Sequence, residues 1–128
     1  MFLDSSIIIE IFRKEKKSKI FEEIFKLIKD EPIFISIIQI GEITDWCHKN
    51  NINPEKRIEK LKQILNVVPL NEKICIEAAK IRHYIRKKVA NKFSLIDGII
   101  LSSSRSINQK LLTMDEDFKN IEDTVVLR

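Results

Sequence analysis

The sequence predicts an α/β fold: a central, mostly parallel five-stranded sheet between helices on both faces, a three-layer α/β/α arrangement. Two observations carry this. Short apolar runs alternate with longer stretches of helical periodicity along the whole chain, the order that builds strand–helix–strand units. The apolar runs are also continuous, without interposed polar residues, as strands buried on both faces are. A third observation concerns chemistry. Asp4 and Asp115 each follow such a run directly, so in a parallel sheet their carboxylates share the edge where open α/β sheets place ligand chemistry.

Met1-Phe2-Leu3 is the first strand, and Ser5 or Ser6 can cap the helix that follows, which carries Ile8, Ile9, Ile11 and Phe12. A second helix spans about 19–29, with Ile20, Ile24, Leu27 and Ile28 at helical spacing and Asp30-Glu31-Pro32 as its stop. Ile33-Phe34-Ile35 is the second strand. Ser36 with Gln39 fits a capping box for the third helix, which runs to Asn50-Asn51. Asn53-Pro54 starts a fourth, buried along Ile58, Leu61, Ile64 and Leu65. Val67-Val68 is the third strand. Asn71 caps a fifth helix with Ile74, Ala78, Ile81 and Ile85 on one face, and its end at Arg86-Lys87-Lys88 carries the charge that suits a helix C-terminus. Ser94 opens a sixth helix to about Ser106, and the last strands are Lys110–Thr113 and Thr124–Leu127.

The 128 residues fit a single domain, 1–128. With 44% hydrophobic and 33% charged residues, the composition is that of a soluble globular protein. No apolar run approaches the ~20 residues of a membrane span, and no basic segment or small-residue cleavage site marks a signal peptide. A cytoplasmic protein is expected. Cys47 and Cys75 form neither a disulfide framework nor a zinc pattern and read as buried thiols. His48 and His83 have no partner at ligand spacing.

The net charge of +4 and pI near 9.1 bias the protein toward polyanions. One basic cluster comprises Arg13, Lys14, Lys16, Lys17 and Lys19, the other Arg82, Arg86, Lys87, Lys88 and Lys92. Aromatic residues do not interleave with them, so no stacking platform for single strands is indicated.

Glu42 and Asp97 join Asp4 and Asp115 as acids in apolar settings, in Ile40-Gly41-Glu42-Ile43 and Leu95-Ile96-Asp97-Gly98-Ile99-Ile100. The chain's two glycines adjoin them. A helix-interior glycine costs about 1 kcal/mol against alanine, so a close approach is expected at each, by another backbone or by a ligand. Each acid also has a local account. Ser94 and Asp97 score as a capping box, and Asp115 can begin a turn. Four carboxylates at one edge cannot all stay ionised unpaired. Mg²⁺ or Mn²⁺ would relieve that repulsion, being hard ions that favour carboxylate oxygen. A Ca²⁺ loop, a phosphate-binding glycine loop and the dinucleotide fingerprint are absent.

These motifs, in this order, resemble the PIN-domain family, and more narrowly the VapC-type toxins of toxin–antitoxin pairs. The resemblance rests on Met1–Ser6, Ile40–Ile43, Phe93–Ile100 and Leu111–Phe118 and covers nearly the whole chain. It implies a sheet of order 3-2-1-4-5 and a metal-dependent endoribonuclease. Asp4, Glu42, Asp97 and Asp115 match the family's acidic quartet, and Asp117 matches a more variable extra acid. Asp4, Asp97, Asp115 and Asp117 are then the implied ligands of Mg²⁺ (or Mn²⁺), with Ser5 and Thr113 as hydrogen-bond partners around them. Ser-Ser after Asp4 departs from the common Thr-Asn pair. The resemblance further implies hydrolysis to a 5′-phosphate and a 3′-hydroxyl, an RNA substrate held by residues such as Arg13, Lys14, Arg86 and Lys87, a cognate antitoxin and a homodimer. The same fold also serves non-catalytic binding modules and nucleases of RNA processing. A Toprim-like domain would need its Glu after the first strand, where this chain has Asp4.

Overall fold

The computed structural model describes residues 1–13, 18–89 and 92–127. Its sheet contains β1 (Phe2–Leu3), β2 (Phe34–Ser36), β3 (Asn66–Val68), β4 (Leu111–Thr113) and β5 (Thr124–Val126), all pairings parallel, in the order β3-β2-β1-β4-β5. The shortest strand is the central one. Leu3 pairs with Leu112, and Asp4 N–H extends the ladder by donating to Leu112 O at 2.9 Å.

The helices are α1 (Ser5–Phe12), α2 (Lys19–Ile28), α3 (Ile37–Lys49), α4 (Pro54–Ile64), α5 (Glu72–Lys88) and α6 (Leu95–Ser106). A 3-10 turn occupies Glu116–Phe118. Strand periodicity divides the core into two layers. Leu3, Ile35 and Leu112 pack with Ile7, Ile24, Ile43, Cys47 and Leu61, from α1 to α4. Phe2 and Leu111 pack on the other face with Ile85, Ile100, Leu101 and Phe118. Successive strand residues point to opposite faces, so each short strand feeds both layers. Five strands of two or three residues therefore anchor six helices.

The caps follow the sequence closely. Ser36 and Gln39 form the expected capping box, as do Ser94 and Asp97, while Asn53 and Asn71 cap α4 and α5. Asn51, at φ 56°, stops α3 in the left-handed region that Asn tolerates. Some expectations are corrected. The second strand lies one residue later than 33–35, because Ser36 closes β2 and caps α3 at once. Asp4, not Ser5 or Ser6, holds the N-cap position of α1, and its carboxylate makes no cap bond there. Ile64 is 65% exposed, because α4 turns that position away from the layer that Leu61 enters. Cys47 is buried, but Cys75 is exposed. Among the described residues no helix is long and apolar enough to cross a membrane.

The glycines part company. A Cβ on Gly98 would stand 2.5 Å from Ala78 O, so this residue lets α6 lie directly on the backbone of α5. At Gly41 no protein atom lies within 4 Å, so no neighbouring backbone requires it.

Candidate functional site

Parallel strands deliver their C-terminal ends to one edge, and the acids gather there. Asp4 leaves β1 and is 7% exposed. Its Oδ2 accepts from Thr113 Oγ1 at 2.7 Å and from Ser6 Oγ at 2.8 Å. Both hydroxyls accept in turn from the chain after β4: Thr113 Oγ1 from Asp115 N–H at 3.0 Å, Ser6 Oγ from Met114 N–H at 3.0 Å. The ends of the two neighbouring strands are thereby tied through one carboxylate.

Glu42 sits in the second turn of α3. Its Oε1 accepts from Ser5 Oγ at 2.7 Å. Fully buried Gln39 stands behind this pair, donating from Nε2 to Leu3 O at 2.7 Å and to Ser5 Oγ at 3.3 Å, while its Oε1 accepts from Ser36 N–H at 2.8 Å. Burial raises the Glu42 pKa, the bond from Ser5 opposes the rise, and the charges of Asp4 and Asp97 add to it.

Asp97 is both a cap and a member of the site. Its Oδ2 accepts from Ser94 N–H at 2.9 Å, and its own N–H donates to Ser94 Oγ at 3.1 Å. Its pKa is also raised, first by burial, against the lowering bonds of Ser94, with Asp115 and Asp4 as repelling neighbours. Asp115 starts the 3-10 turn by accepting from Asp117 N–H at 2.9 Å. Burial again leads its upward shift; the bond at Asp117 opposes it, and the charges of Asp117, Asp4 and Glu116 reinforce it. Asp4 thus acts on Glu42, Asp97 and Asp115 alike.

Asp97, Asp115 and Asp117 each offer a carboxylate oxygen within 4.8 Å of the other two. Burial and neighbouring charge raise the proton affinity of Asp97 and Asp115, and a hard divalent cation at the trio would relieve that repulsion. Asp4 and Glu42 adjoin this trio electrostatically without entering it. Four acids chosen from sequence, and Asp117 with them, are therefore gathered at one edge.

A PIN domain model matches residues 1–123. The chain belongs to the PIN-domain family. Solved structures similar to this PIN domain include a toxin–antitoxin complex from Klebsiella pneumoniae, at 21% identity and TM-score 0.74, covering 98% of this chain and 95% of that one. VapBC-1 from nontypeable Haemophilus influenzae is 26% identical, TM-score 0.72, covering 98% and 95%. VapC20 from Mycobacterium tuberculosis, a sarcin–ricin-loop-cleaving toxin, is 13% identical, TM-score 0.64, covering 86% and 85%. No curated protein sequence matches the chain.

The basic residues chosen from sequence are less well gathered. Arg13 lies beyond the far end of α1 from Asp4, where it lines a cavity with Phe12, Trp46 and Arg57. Lys14 lies outside the described residues. Arg86 and Lys87 are exposed at the end of α5. Sequence reasoning missed Ser6, whose signal was only its place beside Asp4, and it read Gln39 as a cap alone.

Proposed function

We propose that this PIN domain is a divalent-metal-dependent endoribonuclease, and the toxin of a VapBC-type toxin–antitoxin pair. The observation that carries this is the convergence of Asp97, Asp115 and Asp117 within 4.8 Å, with Asp4 and Glu42 beside them. Family membership and the likeness to VapC20 support the reaction class.

Asp4, Asp97, Asp115 and Asp117 would hold Mg²⁺ (or Mn²⁺). When bound, the ion supplies charge for the phosphodiester and acidifies water for attack. Thr113 and Ser6 orient the Asp4 carboxylate, and Ser94 and the Asp117 N–H orient those of Asp97 and Asp115. Ser5 fixes Glu42 Oε1, which positions this carboxylate to receive a proton from the attacking water. No side-chain nucleophile is required.

A cognate antitoxin and a homodimer belong to the same proposal. Structures of toxin–antitoxin complexes support the first. So do exposed Ile37, Leu95 and Ile96, at the starts of the helices that carry Glu42 and Asp97. The test is incubation of purified protein with a mixed structured RNA pool in Mg²⁺, Mn²⁺ or EDTA, beside an Asp97→Asn variant. Divalent-dependent cleavage leaving 5′-phosphates, absent from the variant, is the expected result. Equal cleavage in EDTA, or none by the folded protein with either ion, would reject the metal-nuclease reading.

A further inference from the structure

Asp117 belongs to two features at once. It completes the acidic trio, and it lines a groove of about 790 Å³ that opens beside it. The other wall of that groove is the C-terminal half of α5, which presents Tyr84 and Lys88, with Lys119 on the segment after the 3-10 turn. Its charge is divided. Glu116 and Asp117 lie toward the acidic site, whereas four cations, Lys80, Lys88, Arg105 and Lys119, and one further acid, Glu122, line the rest. Lys80 meets Glu77 at 3.5 Å and Arg105 meets Asp123 at 3.2 Å, but among the described residues no carboxylate pairs with Lys88 or Lys119.

Tyr84 is 60% exposed, while Phe2, Phe93 and Phe118 are fully buried. An isolated exposed ring would need no explanation. Its surroundings supply one. The Lys88 ammonium lies over one face of the ring, 4.4 Å from its centroid, so the ring carries a cation on that face, and ring and charge stand together in the groove that Asp117 also lines. The sequence had argued against such interleaving. That reading is corrected: Tyr84 lies between Arg82 and Arg86 in the sequence, and four residues before Lys88 on one face of α5.

We propose that Tyr84 is a stacking platform for a base of single-stranded RNA flanking the scissile phosphodiester, with Lys88 and Lys119 meeting its phosphates. This rests on the nuclease reading and adds to it a substrate subsite. A phosphodiester at the acids places the neighbouring nucleotide in the groove. An unpaired base offers a π-face that the exposed ring receives without regard to sequence. A paired base keeps its face within the duplex, so the platform selects unpaired segments.

The experiment is equilibrium binding, by fluorescence anisotropy in EDTA, of a labelled mixed-sequence single-stranded RNA and of a duplex RNA of equal length. Wild type, Tyr84→Ala, Tyr84→Phe and Lys88→Ala are compared. Tyr84→Ala is expected to weaken single-strand binding about tenfold, with Tyr84→Phe like wild type and duplex binding unchanged. Lys88→Ala should lower the salt dependence by about one phosphate contact, a slope change of roughly 0.7. Single-strand binding by Tyr84→Ala equal to wild type overturns the proposal and leaves the groove to a protein partner. Equal losses on single strand and duplex also overturn it. Divalent-dependent cleavage with unaltered Tyr84→Ala binding rejects the stacking alone, whereas absence of both RNA binding and cleavage rejects the nuclease reading with it.

Discussion

Thr113 Oγ1 donates a 2.7 Å hydrogen bond to Asp4 Oδ2, joining residues 109 positions apart at the ends of adjacent strands. The same oxygen accepts from Asp115 N–H. Thr113→Val keeps the shape and removes both bonds. The loss should cost about 1–3 kcal/mol in stability, read as a lower denaturation midpoint. Divalent-ion affinity, read by calorimetric titration with Mn²⁺, should fall about 10–100-fold. Thr113→Ser should restore most of both.

Gln39 makes a sharper structural case. Its amide satisfies Leu3 O and Ser36 N–H, in the interior between β1 and the start of α3. Gln39→Leu would leave both backbone groups buried without partners. We expect a loss of about 2–4 kcal/mol, measured by urea unfolding. If the variant unfolds at the wild-type midpoint, the amide is not the link described above.

The glycines should respond in opposite directions. Gly98→Ala drives a Cβ into Ala78 O, a backbone atom that cannot swing aside. A destabilisation of about 1–3 kcal/mol is expected from the forced separation of α5 and α6. Gly41→Ala adds a methyl group to open space and removes helix-interior glycine, a gain of up to about 1 kcal/mol. Thermal melts of the two variants check both signs.

The pKa values of Glu42, Asp97 and Asp115 are all raised. The folded protein therefore binds protons more readily than the unfolded chain at these groups. Their contribution to stability falls as pH rises through the window that opens at the ordinary values, 4.5 for Glu42 and 3.8 for the aspartates, and closes at the raised ones. In EDTA at neutral pH, Asp97→Asn should melt above wild type, because it removes charge while retaining an acceptor for Ser94. The difference should vanish below pH 3.8. Mn²⁺ should raise the wild-type melting temperature more than that of the variant.

Most of the architecture was legible because this chain marks its element ends with side-chain chemistry. Ser36, Asn53, Asn71 and Ser94 each accept the backbone hydrogen bond that their position implies. The acids Asp4 and Asp115 were legible for a related reason: a residue just after a buried parallel strand has few places to go. What escaped depended on neighbours supplied by distant segments. Ile64 fits the helical period of Leu61 yet is mostly exposed, and Cys75 lies in a helical pattern on the wrong face. Gly41 and Gly98 look alike in sequence, and only the path of α5 separates them. Likewise, no local pattern places Tyr84 in a groove with Asp117, since α5 and the turn after β4 meet only in the fold.

The capping box at Ser94 and Asp97 has an evolutionary consequence. One oxygen of Asp97 is tied to the start of α6, whether or not the protein cuts anything. A descendant relieved of selection for chemistry would still be selected to keep this acid, since its helix begins there. Asp97 is therefore a poor witness to activity among relatives. Glu42, whose carboxylate is held by Ser5 and caps no helix, would be the first of the quartet to drift.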